Sequence, residues 1–226
     1  MSMKKRIPIY VAGLLVMALG IVLIKKSELG MSPISSIPSA CSNITPFSLG
    51  EMTIAFQLIC ILLQVLILRR LPLKVALQLP LSVAFGYLID LYVFLLQFGT
   101  LPLWARCICC FLGILCTALG IVMIVSMDLM LPAPDAFLRT LSQKLNRPLG
   151  TVKICGDVSW VVITLVIELV AMGTVSSVGV GTVASMLLTG KFVSLIKKWT
   201  SRLLPASGQE NGVPEAADTP DGLGSR

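Results

Sequence analysis

The apolar residues of this chain are gathered into six long runs. Ile7 to Ile24 is free of charge, and Met52 to Leu68 is interrupted only by Gln57 and Gln64. Val75 to Phe98 carries one charge, Asp90, and Cys107 to Met127 carries none. Ile154 to Met172 contains Asp157 and Glu168, and Ser177 to Ile196 contains only Lys191. A helix crosses the hydrocarbon core with about 20 apolar residues. The pattern therefore predicts an all-α integral membrane protein with six transmembrane helices. The first run has no small-x-small cleavage site before Lys25-Lys26, so it reads as a retained helix rather than a signal peptide.

The runs also repeat. Ala18-Leu-Gly-Ile-Val-Leu-Ile24 recurs as Ala118-Leu-Gly-Ile-Val-Met-Ile124. The same offset of 100 pairs Glu28-Leu29 with Asp128-Leu129, Leu49-Gly50 with Leu149-Gly150, Ile54 with Ile154, Gln57 with Asp157, and Val83-Ala84 with Val183-Ala184. A constant register over about 165 residues, with a glycine pair and an acid-for-acid match outside the spans, indicates duplication. Each half, about 7–98 and about 104–196, holds three spans, an odd number. The second half is therefore expected upside down relative to the first, as in many secondary transporters with inverted repeats.

Each half carries a long connection after its first span, at 25–50 and 125–150. Loops of that length without secondary structure are uncommon. Pro134 to Leu145 reads as a short amphipathic helix with Phe137, Leu138, Leu141 and Leu145 on one face and Asp135 in its first turn. Its counterpart, Ser32 to Ile44, places Ile34, Ile37, Cys41 and Ile44 at helical spacing, with Pro38 expected only in a first turn. Two placements fit. The short helices are re-entrant, their N-terminal ends approaching the midplane from opposite sides to meet a solute, or they are interfacial and lie on the membrane surface. Arg139 and Lys144 suit the second placement for the later copy.

Composition agrees with a membrane chain: 56% of residues are hydrophobic and only 13% charged, against about 25% charged in soluble domains. Histidine is absent, which removes Ser-His-Asp and Cys-His nucleophile systems and HExxH zinc sites. No metal or cofactor is expected, and the sequence carries no GxxxxGK[ST] phosphate loop. The formal charge is +7. Residues 1–204, the membrane domain, hold 17 basic and 7 acidic residues and carry +10, whereas 205–226 carry −3 and read as a disordered cytoplasmic tail.

Basic residues gather at Lys4, Lys5, Arg6; Arg69, Arg70, Lys74; Arg139, Lys144, Arg147; and Lys197, Lys198, Arg202. The opposite loops hold only Lys25, Lys26 and Arg106. By the positive-inside rule both termini are cytoplasmic. The basic charge serves orientation and lipid contact, not nucleic acid. The seven cysteines lie mostly within spans and read as small buried hydrophobes.

Ionisable groups at membrane depth face a bundle interior or a cavity. Asp157 and Glu168 are eleven residues, three turns, apart and share a helix face, and Lys153 sits one turn before Asp157. Gln57 and Asp157 are repeat mates expected to face one cavity, with Asp90 or Glu168 exchanging a proton. In a purely structural reading, Asp157 pairs with Lys153 and Glu168 nears the outer water. Gly20, Gly86, Gly113, Gly120 and Gly190 suit close helix packing.

The run Gly20-Ile-Val-Leu-Ile, then Glu28-Leu-Gly-Met-Ser-Pro33, Ser48-Leu-Gly50 and Gly86-Tyr-Leu-Ile-Asp90 resembles the YczE-type bacterial membrane proteins, related to the YitT type, over roughly residues 6–196. In such proteins an acid often follows Ser-Pro at the place held here by Ser35, whereas Asp135 keeps an acid. The resemblance implies a bacterial plasma membrane and transport, without a substrate.

The expectation is a small secondary carrier or permease for a small polar or anionic solute, not an enzyme. Its binding candidates are Asp157, Asp90, Gln57, Glu168, Ser32, Ser35 and Asp135. The alternative is a non-transporting membrane binding module, such as a solute-capturing subunit of an energy-coupled importer. The expected partners are the lipid bilayer, the solute, and a second copy or partner membrane subunit.

Overall fold

A computed structural model describes residues 3–97, 99, 101–127 and 129–203, all helical or in connecting turns. Asp128, the expected mate of Glu28, and the acidic tail 205–226 lie outside the described residues. The helices are α1 (Met3–Ser27), α2 (Pro33–Ile44), α3 (Leu49–Leu68), α4 (Leu73–Ala76), α5 (Gln78–Leu95), α6 (Leu103–Met127), α7 (Ala133–Leu145), α8 (Leu149–Met172) and α9 (Val180–Leu203). Among the described residues, five segments are long and apolar enough to cross a membrane: Arg6–Ser27, Leu49–Leu68, Leu73–Leu95, Leu103–Met127 and Leu149–Met172. The sixth expected run is helical, but its apolar part, Val180–Ile196, is shorter.

Beside an apolar core, many polar side chains are turned inward and many large apolar ones outward. Ser35, Ser36, Ser39, Gln57, Gln64, Gln78, Thr164, Glu168, Ser177 and Thr182 are buried, while Leu62, Leu66, Phe94, Val166 and Val170 are exposed. A chain surrounded by hydrocarbon gains nothing by hiding leucine, but must satisfy its polar groups internally. The chain is a multi-pass helical membrane protein.

The core is a glycine-lined antiparallel pair, α1 against α6. A Cβ on Gly13 would lie 3.2 Å from the Gly120 carbonyl oxygen, and one on Gly20 would lie 2.7 Å from that of Gly113. Seven residues are about two turns, so both glycines of each helix lie on one face and the backbones touch directly. The contacts exchange under the offset of 100: Gly13 meets Gly120, and its mate Gly113 meets Gly20. Tyr10, Met17, Ile24, Ile114 and Ile124 pack around this seam. Phe192 of α9 lies edge-on to Phe111 of α6, their ring centroids 5.8 Å apart.

The two short helices wedge between α3 and α8, each contacting both. α2 runs alongside α8: Ser36 Oγ lies 2.7 Å from Thr164 Oγ1, and farther along Asn43 Nδ2 donates to Ser176 Oγ at 3.0 Å. α7 folds back on α8, with Leu138 against Gly156 and the Phe137 ring 6.2 Å from that of Trp160. The N-terminal end of each short helix thus lies beside the middle of a long one. One sequence expectation is corrected here. α2 continues through Pro38, which is fully buried and held in place by its packing between α3 and α8. It buries Ser35, Ser36 and Ser39, while Ile34 and Ile37 pack against the cluster around Phe56 and Ile44 is exposed.

Sharp turns set these paths. Gly30, at φ +112°, lets the segment after α1 lie against the start of α9, where a Cβ would meet the Gly179 nitrogen at 2.6 Å. Two backbone hydrogen bonds fasten it: Met31 N to Ser177 O at 2.8 Å and Gly181 N to Leu29 O at 2.7 Å. This is the local role of Leu29-Gly-Met-Ser-Pro33.

α5 packs closely on α3, with Gly50 against the Gly86 carbonyl, whereas around Gly150 and Gly190 there is open space. Gly190 therefore does not serve the close packing expected of it.

Candidate functional site

α8 carries a stripe of interacting side chains at helical spacing, Lys153, Asp157, Trp160, Thr164 and Glu168, and α3 carries Thr53, Gln57, Cys60, Gln64 and Leu68 at the matching register. The stripes are tied in the middle by aromatic rings. Phe56 of α3 meets Trp160 edge-on, with centroids 5.3 Å apart, and Phe137 of α7 joins them. Polar groups therefore lie on both sides of a three-ring waist.

On the side toward the Met127 end, Lys153 Nζ donates to Asp135 Oδ1 at 3.0 Å and lies 3.8 Å from Asp157 Oδ1. Two carboxylates share one amine, a surplus of one negative charge. The pairing of Lys153 with Asp157 expected from their spacing is present, but the closer bond is to Asp135 in the first turn of α7. Buried Asp157 Oδ1 and Trp160 Nε1 have no hydrogen-bond partner among the described residues. An acceptor and a donor thus lie about one turn apart with their hydrogen-bonding capacity unused, and burying such groups unpaired is costly. A cavity of about 360 Å³ opens between α7 and α8, from Arg147 and Thr151 to Phe137 and Trp160; it is lined by neither Asp157 nor Gln57, which were expected to face one cavity.

Neither short helix has a side-chain cap at its N-terminus. Ser32 is the N-cap residue of α2, its carbonyl accepting from Ser35 N at 3.0 Å, and Ser35 is buried. Gln57 is buried on α3 but is not hydrogen-bonded to Asp157 among the described residues. Gln64, one face further along, donates to the Ala133 carbonyl at 3.1 Å and to Gln78 Oε1 at 3.2 Å, binding α3 to α5 and α7.

The remaining two acids are engaged elsewhere. Asp90 accepts from Ser48 Oγ at 2.6 Å and from Gly50 N at 2.8 Å. It thereby completes a capping box in which Ser48 and Glu51 bond each other's backbone. Asp90→Ala should lower unfolding stability by about 1.5 kcal/mol, since charge-assisted bonds at a helix start are lost, and should leave Asp157 undisturbed. Thermal unfolding of the detergent-solubilised variant checks this, with Asp90→Asn expected between the variant and the parent.

Glu168 is fully buried rather than near outer water: it accepts from Ser176 N at 3.0 Å, Ser176 Oγ at 2.8 Å and Ser177 N at 2.8 Å, closing the α8–α9 turn. Ser177 Oγ then meets Ser39 Oγ at 3.1 Å, and Lys25 Nζ donates to Ser39 Oγ at 2.7 Å and Asn43 Oδ1 at 2.8 Å.

Of the seven predicted residues, only Asp135 and Asp157 come together. The sequence reading missed the Lys25, Ser39, Asn43 and Ser177 network and the Phe56–Trp160 contact. The serines at 35, 36 and 39 were the available signal, because hydroxyls in one helical stripe of an apolar chain have to be bonded inside.

No curated protein and no solved structure matches the chain. Residues 4–198 match a single family across nearly all of the helical region, and the chain belongs to that family, DUF6198, a family of unknown function.

Proposed function

We propose that this protein is a small carrier built from two inverted repeats, with its solute path between α3 and α8. The observation that carries this is the Asp135–Lys153–Asp157 cluster beside the unpartnered Trp160 Nε1, at the N-terminal end of a helix that reaches only to the middle of its neighbour. Charges are kept at such depth where a solute or ion is handled. Repeat architecture is supported by helix starts at 3 and 103, 33 and 133, and 49 and 149, and by the exchange of glycine partners across α1 and α6. On this reading α9 is the sixth span, α2 and α7 are re-entrant, and the waist is the midplane.

The surplus carboxylate favours a polar solute carrying a cationic group, or a coupling cation, over an anion. The positive-inside bias supports cytoplasmic termini and a cytoplasmic Met127 end, and the YczE-type resemblance supports a bacterial plasma membrane. No covalent chemistry is assigned to the protein. A second reading, as a binding module or partner subunit, draws on the bare flank of α8, where Val170 is 83% exposed, with nothing in the place that α5 takes against α3.

Proteoliposomes loaded against a library of polar metabolites test the carrier. Uptake is expected in the parent and should fall at least about tenfold in Asp157→Asn, through loss of one charge-assisted contact. It should persist, per folded molecule, in Asp90→Asn. Normal uptake in Asp157→Asn would remove the site. No uptake by the isolated protein, with a second membrane subunit co-purifying, would favour the binding module.

A further inference from the structure

The two ends of the bundle are fastened differently, and the repeat makes the comparison position by position. At the Ser27 end, α1 and α2 of the first half are joined to the α8–α9 turn of the second by a continuous chain of hydrogen bonds. Lys25 donates to Ser39 and Asn43, Asn43 to Ser176, Ser177 meets Ser39, and Glu168 holds both Ser176 and Ser177. Beside it run the two backbone bonds between Leu29–Met31 and Ser177–Gly181.

The mates of Lys25, Ser39, Asn43, Glu168, Ser176 and Ser177 at the other end are Val125, Arg139, Gln143, Leu68, Ala76 and Leu77. Arg139 and Gln143 are exposed, and none of the corresponding bonds forms among the described residues. A groove between α7 and α8 reaches Trp160 at this other end, and a second cavity, lined by Ser48, Glu51 and Asp90, opens between α3 and α5 at the Ser27 end.

We propose that the Lys25–Ser39–Ser177–Glu168 network is a latch that shuts the Ser27 end of the path between α3 and α8. This rests on the carrier reading and adds to it which end is closed and by which groups. The latch joins first-half elements to second-half elements, so its bonds have to break whenever the halves rock to open that end. It is made of hydroxyls, an amide, one amine and one carboxylate that is not in direct contact with the amine. Such neutral links between two separated charges are each worth little and exchange readily with water. A direct buried ion pair would hold the end shut more tightly.

Hydrogen exchange of the intact purified protein in detergent tests this without any solute. In Lys25→Met, and independently in Ser39→Ala/Asn43→Ala, which keeps both charges, exchange of the amides of residues 29–36 and 174–182 is expected to rise about tenfold, the equivalent of one or two lost hydrogen bonds. At the same time, exchange over 133–147 should slow, because opening one end closes the other, and 13–24 with 113–124 should stay unchanged. Faster exchange at the Ser27 end with no slowing at 133–147 in either variant makes the network a static staple and overturns the proposal. So does unchanged exchange at both ends. Reciprocal exchange in a protein that moves no solute would keep the latch and remove the carrier reading, whereas uptake without reciprocity would do the opposite.

Discussion

Gly20→Ala should destabilise the protein by about 3 kcal/mol, the upper range for forcing atoms into a filled core. A single methyl group at this position would lie 2.5 Å from Thr117 Oγ1, 2.6 Å from the Thr117 backbone nitrogen and 2.7 Å from the Gly113 carbonyl oxygen. Two of these three are backbone atoms of a helix and cannot turn aside, so α1 and α6 must separate. Because that contact is the centre of the largest apolar cluster, separation loosens Tyr10, Met17 and Ile114 as well. Gly190→Ala supplies the comparison, since nothing lies within 4 Å of a Cβ there, and the better helix former should be neutral or stabilising by about 0.5 kcal/mol. Thermal unfolding of both variants in the same detergent checks the pair, and equal midpoints would contradict the seam as the structural core.

Lys153→Met should cost about 2 to 3 kcal/mol. Removing one partner of a buried ion pair costs about 3–5 kcal/mol because a charge is left uncompensated. Lys153 keeps 44% of its side chain exposed, which moves the expectation below that range. Without the amine, Asp135 and Asp157 face each other as like charges in a poorly screened site. The physical claim lies in the rescue. Lys153→Met combined with Asp135→Asn and Asp157→Asn should recover most of the loss, since the methionine then replaces a stem rather than a charge. Denaturant or thermal midpoints of the parent, the single and the triple variant measure it. If the triple variant is no better than the single one, Lys153 acts by packing alone.

Much of the fold could be read because the bilayer imposes simple rules. Runs such as Cys107 to Met127 have one fate in hydrocarbon, and they became helices within a few residues of their expected ends. The segments matched at an offset of 100, Ala18 to Ile24 and Ala118 to Ile124, both belong to the α1–α6 seam, where Gly20 meets Gly113 and Gly120 meets Gly13. The short helices were legible as helices but not as packed elements. The spacing of Ile34, Ile37, Cys41 and Ile44 marks one side of α2, but Ile34 and Ile37 pack against the Phe56 cluster and Ser35, Ser36 and Ser39 on the other side are buried as well. Periodicity tells which residues share a side, while the surrounding solvent decides which side turns inward.

The acids were found as special but their roles were only partly assigned. Lys153 and Asp157 are four residues apart, so their pairing follows from helix geometry. Asp135 joins them from a different helix, and Asp90 reaches Ser48 across 42 positions of chain. Such partners depend on how α5 and α7 are placed, which spacing along one helix does not specify. Glu168 looked close to water because it nears the end of its run. It is buried because the following turn, Ser176-Ser177, folds back over it.

If the chain is built from the two inverted repeats proposed above, the seam between α1 and α6 bears on its ancestry. Gly13 touches Gly120 and Gly20 touches Gly113, so each helix presents the same surface that it receives. A chain of half this length would already own both sides of that contact, and two copies inserted in opposite directions would meet along it. Joining the copies end to end would then free each half to diverge, one gaining the Asp90 clamp and the other the Lys153 cluster, while the four glycines stay fixed by what they touch.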